Sequence, residues 1–399
     1  MPATSIPTPD APRNGALSVV LLAVSAFVIV TTEFVIVGLL PALARDLGVS
    51  ITTAGMLVTL FAFSVMLFGP ILTGLVSHFD RKRLFIVLLA VFAGSNALAA
   101  VAPNIWVLAL ARFIPALALP IFWGTASETA AQIAGPARAG KAVANVYLGI
   151  AGAMVFGIPL GTLTGAAFGW RGAFWGLAVL SVVMAVLLLA AMPTLARPER
   201  LKLGHQMRIL KSPFFLANIG LSVLVFTAMF TAYTYLADLL EQVARVPADA
   251  VGWWLMGFGA VGLIGNGIGG RMVGRGPLRA TAQAALVLAV GMAAVVPFAA
   301  SPIWLALALA VWGLANTALY PICQIRVMKA ASHAQALAGT LNVSMANAGI
   351  GLGAIIGGAA IRLWGVGSLG FIAAGVALLA VVAVPFVARL QPAEIVADL

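Results

Sequence analysis

The chain has 399 residues, of which 63% are hydrophobic and only 8% charged, and its formal net charge is +11. A soluble domain carries about 25% charged residues, so a chain this apolar could not cover its own surface in water and needs lipid as its outer solvent. The positive charge does not indicate nucleic-acid binding, because the basic residues fall in short runs between apolar stretches and not on one soluble face. The single cysteine, Cys323, excludes an intrachain disulfide and a multi-cysteine metal site.

Twelve apolar runs follow one another along the chain, each long enough to cross a bilayer. The first run is longer than the apolar core of a signal peptide, which has about 7–15 residues, so we interpret it as a retained span. The sequence therefore predicts an all-α membrane protein. Its transmembrane helices are expected at residues 17–40, 52–77, 84–102, 104–130, 140–167, 172–192, 214–240, 250–273, 279–299, 302–328, 334–361 and 367–389.

The positions of Lys and Arg predict the orientation of these spans. With the N-terminus in the cytoplasm, Arg112 lies inside a span and almost all other basic residues fall on the inner side. Those on the outer side are Arg45, Arg171, Arg245 and Arg362. Because cytoplasmic segments carry an excess of basic residues, we expect a multi-pass protein of the bacterial inner membrane with both termini in the cytoplasm.

The two halves of the chain resemble each other. The stretch from Ala102 aligns with that from Ala300, since an Ile-Trp pair follows each three residues later, and Gly74–Arg83 aligns with Gly270–Arg279. Such similarity predicts two parallel six-helix repeats with a binding site between them near the middle of the membrane, which is a transporter architecture.

The longest inner connection, residues 193–213, is rich in charge and proline and separates the two repeats. We therefore expect an N-terminal six-helix bundle at residues 1–192, a cytoplasmic linker at 193–213 and a C-terminal six-helix bundle at 214–399. The other loops are short and leave no room for a separate soluble domain.

Several short motifs recur at the positions of known transporter signatures. The loop Gly267–Arg275 has a first-half counterpart at Gly74–Arg83, span 4 carries Leu108-x-x-x-Arg112, and span 5 carries Gly157-Ile-Pro-Leu-Gly. More specific are Thr-Thr-Glu-Phe in span 1, Ile-Phe-Trp in span 4 and Gly-Trp-Arg after span 5. In the first loop His78 stands where an aspartate is usual.

Together these motifs resemble the major facilitator superfamily, and within it the bacterial drug:proton antiporters. The nearest subgroup includes sugar, purine-nucleoside and chloramphenicol exporters. The resemblance implies the twelve-helix fold and a secondary active transporter. It also implies gating roles for Asp80, Arg81, Arg271 and Arg275 in the two loops. Gly157, Pro159 and Gly161 together predict a bend in span 5, which could shape gating or could serve packing alone.

Two charged residues lie well inside predicted spans. Glu33 is eight residues before Pro41, and Arg112 is eight residues after Asn104, so both sit about 12 Å below the outer surface. A charged side chain inside the bilayer is energetically costly, so it normally has a charged or polar partner or a function. In the resembled fold, spans 1 and 4 both line the central cavity, so these residues could meet.

Our hypothesis is that Glu33 carries the proton and that Arg112 tunes its pKa, since burial and a nearby guanidinium act on a carboxyl group in opposite directions. The alternatives are a fixed structural ion pair, or an Arg112 that only caps carbonyls freed near Pro115. The second-half equivalents, Thr231 and Ala310, are uncharged, so the scaffold does not require either charge.

Polar and aromatic residues on spans 1, 4, 7, 10 and their neighbours are candidates for solute binding, although packing is the alternative for each. They are Phe34, Phe61, Trp123, Asn145, Tyr147, Phe230, Tyr233, Asn316, Tyr320, Asn342 and Asn347. Such a lining suits a small neutral or amphipathic solute. We interpret Glu128 as a surface partner of Arg138 or Lys141, and Asp238 and Glu241 as solvated.

Glycines recur at four-residue spacing in several spans, which indicates close helix packing within the bundle, with dimerisation as the alternative. We expect a monomer that has small-molecule, proton and lipid partners and no cofactor, metal or nucleic acid. An enzyme is disfavoured because no hydrolase or zinc motif occurs, and no P-loop indicates a nucleotide-driven pump. Export by proton exchange is favoured by the resemblance; the alternative is proton-coupled uptake.

Overall fold

The computed structural model describes residues 15–76, 78–135, 138–193, 195 and 206–391, and all regular structure within these ranges is helical. The helices are α1 (Gly15–Leu47), α2 (Ile51–Val76), α3 (Arg81–Ala100), α4 (Ile105–Ala134), α5 (Ala139–Gly152), α6 (Ile158–Ala191), α7 (Pro213–Tyr233), α8 (Leu236–Gln242), α9 (Ala248–Met272), α10 (Pro277–Val295), α11 (Pro302–Lys329), α12 (Gln335–Trp364) and α13 (Leu369–Arg389). In the described residues, eleven continuous helical segments are long and apolar enough to span a membrane.

One of these segments, Ala139–Ala191, makes two crossings. It has 53 residues, and its helix is broken at Gly169, whose φ of 75° lies in the left-handed region that favours glycine. Just after the break, Arg171 pairs with Asp46 at one end of α1, at 2.5 Å. At the end of the segment, Ala191 accepts a hydrogen bond from Ser18 at the other end of α1. The predicted twelve crossings are thereby confirmed.

The helices begin and end where local chemistry dictates. Asp80 accepts from the N–H of Arg83 at the start of α3, and Asn104 accepts from two N–H groups at the start of α4. Gly135 and Gly365 end α4 and α12 with positive φ. We call "outer" the end of the bundle that carries Leu47 and Asn104, following the orientation that the basic residues predict.

α1 runs parallel to α5 and the first part of α6. Glycines of α5, of the π turn and of α6 set the register between these helices and α1. At four glycines an added Cβ would overlap an α1 residue that lies 126 positions earlier in the chain. The pairs are Gly149 with Ala23, Gly157 with Thr31, Gly161 with Val35, and Gly165 with Leu39. Glycine spacing here serves packing within the chain, as expected.

The two halves of the chain meet along two helix pairs. α2 packs against α12, where Thr59 donates to the carbonyl of Gly351 at 3.3 Å. The π turn Ala153–Gly157, between α5 and α6, packs against Gly259 of α9. Between these two contacts, Phe34 of α1 meets Phe230 of α7, with ring centroids 6.0 Å apart.

Candidate transport site

Arg112 binds the main chain of α1. It is 1% exposed, and its two terminal nitrogens donate to the carbonyls of Thr32 and of Glu33, the second at 2.7 Å. Its guanidinium also stacks on Phe61, 4.4 Å from the ring centroid. The expected meeting of spans 1 and 4 is confirmed. However, Arg112 caps carbonyls of α1, and not those near Pro115.

The Glu33 side chain is 8% exposed, and no hydrogen bond or ion pair of its carboxylate occurs within the described residues. Its neighbour Thr32 is fixed by a bond from Asn96 at 3.1 Å. Tyr320 of α11 lies within electrostatic range of both Glu33 and Tyr233. Arg112 also lies within electrostatic range of this carboxylate, so the carboxylate is enclosed and near a cation without being bonded to it.

A chain of aromatic rings extends from this point into the second half. Phe230 and Tyr233 of α7 are 5.5 Å apart, and Tyr233 stacks on Phe258 of α9 at 5.5 Å. Tyr320 meets Phe226 edge to face at 5.1 Å. The structure thus gathers the predicted Phe34, Phe61, Phe230, Tyr233 and Tyr320 near Glu33 and Arg112. Phe258 and Trp312 extend this cluster. The sequence analysis did not identify these two residues, because their spans show no polar pattern that separates them from lipid-facing aromatics.

Three predicted asparagines lie in the second half, all nearly buried. Asn342 donates to Gln324 at 2.7 Å and Asn347 to the carbonyl of Val343. In these two and in Asn316, the amide oxygen is buried without a partner. A buried acceptor without a donor is costly, so these oxygens favour a ligand or water that brings N–H or O–H groups.

Three other predicted residues are not joined to this cluster. Tyr147 is exposed, and Trp123 and Asn145 are half-buried. In the described part of the chain none of them makes a hydrogen bond or a ring contact. Their role in solute binding stays a prediction.

The predicted bend in span 5 coincides with the π turn Ala153–Gly157. Pro159 lies two residues after the turn. Because proline lacks an N–H, it leaves the carbonyl of Val155 without its helical donor, which favours the wider turn. Gly157 and Gly161 lie against α1. The bend therefore sits beside Glu33's helix, where a change of its angle would reach the site.

At the inner end, Arg81 is 3% exposed and donates to Glu128 at 2.8 Å. The predicted pairing of Glu128 with Arg138 or Lys141 is thus wrong, because the start of α3 packs closely enough on α4 to bring Arg81 to it. Arg271 ends α9 at the surface, and the side chain of Arg275 lies outside the described residues.

Besides the burial of Arg81, sequence reasoning missed two further buried charges. Arg326, counted among the inner-side residues, is 2% exposed and donates to Asn218, Ser222 and Thr281. Asp238 is 3% exposed, so the prediction that it is solvated is wrong. Arg326 occupies the repeat position of Glu128, 198 residues on, but Glu128 is exposed, so the repeat does not indicate the burial of Arg326.

Apolar helices long enough to span a membrane, packed around a buried carboxylate, are typical of an integral membrane transporter. Comparison with known proteins specifies the family. Residues 22–343 match the profile of the Major Facilitator Superfamily. The chain belongs to that superfamily.

Relatives and solved structures agree with this assignment. The chain is 36% identical to the inner membrane transport protein YdhP of Escherichia coli (strain K12) over 366 residues, which cover 90% of this chain and 94% of that protein. It is 32% identical to the uncharacterized MFS-type transporter YtbD of Bacillus subtilis (strain 168), covering 88% and 89%. The nucleoside transporter NupG is similar in fold, with TM-score 0.77 and 15% identity over 94% of this chain and 99% of that chain.

Proposed function

We propose that the protein exports a small neutral or amphipathic solute in exchange for protons by alternating access. The observation that carries this proposal is the Glu33 carboxylate, which is buried beside the interface of the two halves and has no ion-pair partner within the described residues. A proton and a solute can compete for such a group, and competition at one site produces exchange.

Alternating access needs two bodies that rock about a shared site. We assign these to residues 1–192 and 214–399, joined by the linker 193–213, of which residues 194 and 196–205 lie outside the described residues. Ser18 bonded to Ala191 and Arg171 bonded to Asp46 hold the first body together.

We place the protein in a bacterial inner membrane with both termini in the cytoplasm, and we expect it to work as a single chain. The excess of basic residues on one side supports the orientation, and the name of YdhP supports the membrane. Residues 1–14 and 392–399 lie outside the described residues.

The chemistry of the site favours a solute with a flat face and hydrogen-bond donors. Phe230, Tyr233 and Tyr320 offer ring faces and edges, while Asn316 and Asn347 offer buried amide oxygens. Within the described residues, Glu33 is the one carboxylate recorded among these side chains, so a strongly cationic solute finds little compensation.

The decisive experiment uses inside-out membrane vesicles energised by respiration, with a fluorescent dye that reports internal acidity. A panel of antibiotics, nucleosides and sugar analogues is added in turn. A substrate that exchanges with protons releases the acidity, so wild-type vesicles are expected to recover fluorescence. Glu33→Gln vesicles are expected to lose this recovery, because the glutamine cannot carry a proton.

The matched control is Asp249→Asn, which removes an exposed carboxylate in the first turn of α9 and should behave as wild type. Undiminished recovery in Glu33→Gln would remove Glu33 from the mechanism. Solute accumulation in intact cells, driven by the proton gradient, would instead identify an uptake symporter.

A further inference from the structure

At the outer end, the second half is interrupted in a way that hydropathy does not show. α7 ends at Tyr233 and the chain resumes as α8 after Thr234 and Tyr235. The Tyr235 hydroxyl donates to the carbonyl of Ala354 at 2.9 Å. Its hydroxyl oxygen lies so close to Gly55 of α2 and Gly358 of α12 that a Cβ at either would overlap it. Tyr235 therefore closes the α2–α12 interface at this end.

α8 is also tied to the first half by charge. Glu241 accepts from Arg45 of α1 at 2.6 Å, and α1 packs directly against α8. We call Arg45, Tyr235, Asp238 and Glu241 the outer latch. In the described structure the latch is closed, and the two halves cannot part at the outer end without breaking the Arg45–Glu241 pair.

Asp238 is the unsatisfied member of the outer latch. One of its carboxyl oxygens accepts from Gln242 at 2.7 Å, and the other is buried without a partner. Arg45 is within electrostatic range, but its recorded ion pair is with Glu241. Two carboxylates thus face one guanidinium.

The other charged and titratable groups around Asp238 do not change this balance. On its own helix the facing group is Glu241, and from α1 it is Arg45. From α12, Arg362 acts on the neighbouring Tyr235 while its own side chain is exposed. A second ionised carboxylate enclosed here would be uncompensated, whereas a protonated one would not.

We propose that Asp238 is a second proton-binding residue of the transport cycle, which holds a proton while the outer latch is closed and loses it when the latch opens to water. This inference rests on the proposed proton-coupled function. The pH outside the cell would then shift the equilibrium between the open and closed outer latch, because a low pH favours protonated Asp238 and the closed latch.

The test is a distance measurement between the two halves that needs no solute. Pro103 and Ala300 are exposed residues in corresponding outer loops, and each is replaced by a spin-labelled cysteine. The native Cys323 is buried and stays unlabelled. The Glu33→Gln form is used throughout, so that Glu33 contributes no titration. Distances are measured by pulsed electron paramagnetic resonance in lipid nanodiscs at about pH 5.5 and about pH 8.5.

The expected result is a short distance at acid pH and an increase of about threefold or more in the long-distance population at alkaline pH. Adding Asp238→Asn should abolish this increase and leave the short distance at both pH values. Adding Asp249→Asn, the matched exposed carboxylate, should leave the increase intact. A pH response that survives Asp238→Asn, or no response before it is added, would overturn the proposal.

If Asp238→Asn fails to fold, Glu241→Gln decides the question. It frees Arg45 to pair with Asp238, so the midpoint of the pH response should move to lower pH by about one unit. An unmoved or raised midpoint would refute the role of Asp238. Because no solute is present, a failed exchange assay with an intact Asp238 response would remove the export function and leave the proton site standing.

Discussion

A guanidinium nitrogen of Arg112 donates to the main-chain carbonyl oxygen of Glu33 at 2.7 Å. The guanidinium forms no hydrogen bond or ion pair with the carboxylate of the same residue. The main-chain carbonyl of Glu33, which accepts the hydrogen bond, is thus separate from its carboxylate, for which we propose proton binding. Glu33 can gain or lose a proton without breaking the contact that ties α4 to α1. A carboxylate locked into an ion pair with Arg112 would lack this freedom.

The first prediction compares the two members of this pair. Arg112→Lys should lower the free energy of unfolding by about 2 kcal/mol, because lysine cannot donate to two carbonyls and stack on Phe61 at once. Glu33→Gln should cost well under about 1 kcal/mol, since the Glu33 side chain makes no hydrogen bond or ion pair within the described residues. Thermal unfolding in detergent micelles measures both. A Glu33→Gln form as unstable as Arg112→Lys would contradict this division of roles.

The second prediction concerns the inner ion pair, whose members differ in burial. The Glu128 side chain is 59% exposed and that of Arg81 only 3%, and two nitrogens of Arg81 have no partner. Glu128→Ala should therefore cost about 2 kcal/mol, because it strands a buried guanidinium. Arg81→Met should cost about half as much, since Glu128 can turn to water. Equal losses in chemical unfolding would show that burial does not govern this pair.

The third prediction tests the glycine register. Gly149→Ala would drive a Cβ into the carbonyl of Ala23, a backbone atom that cannot turn aside. We expect a loss of about 2 kcal/mol or more from separation of α1 and α5. Gly220→Ala on α7 meets open space and should be neutral or slightly stabilising. The two melting temperatures decide the matter, and a tolerated Gly149→Ala would mean that the helices are not in this register.

The fourth prediction concerns Tyr235. Tyr235→Phe removes the bond to Ala354 and should weaken the closed outer end by about 1 kcal/mol, or about fivefold in the open population. Tyr147→Phe, an exposed tyrosine without a recorded hydrogen bond, serves as its control. The Pro103–Ala300 spin-label distance reports both. An unchanged distribution in Tyr235→Phe would show that the hydroxyl does not help to close this end.

The spans were predictable because lipid imposes a length and a polarity on every crossing, and the equal depth of Glu33 and Arg112 followed from helical rise alone. The atoms that meet could not be predicted. Whether Arg112 reaches a carboxylate or a carbonyl depends on side-chain rotamers and on the distance between α1 and α4. Neither can be read from the amino-acid sequence.

Asp238 and Arg326 show a second limit. Both stand near the end of an apolar run, where a charged residue normally reaches water. Distant parts of the chain pack on both: α1 packs on the helix of Asp238, and Arg326 is bonded to residues of α7 and α10. The break between α7 and α8 was likewise hidden, because Thr234 and Tyr235 are as compatible with a helix as with a turn.

The constant separation of 126 residues between α1 and the α5–α6 glycines limits how these helices can move. A slide by one residue would bring side chains to the places where Gly149, Gly157, Gly161 and Gly165 now face α1, so the two helices can tilt together but cannot shear past each other. Glu33 on α1 and the π turn between α5 and α6 must therefore move together as one rigid unit. In an engineered variant, replacing any of these glycines by a larger residue would therefore hinder the movement of this unit, even though the glycines are not among the candidate solute-binding residues.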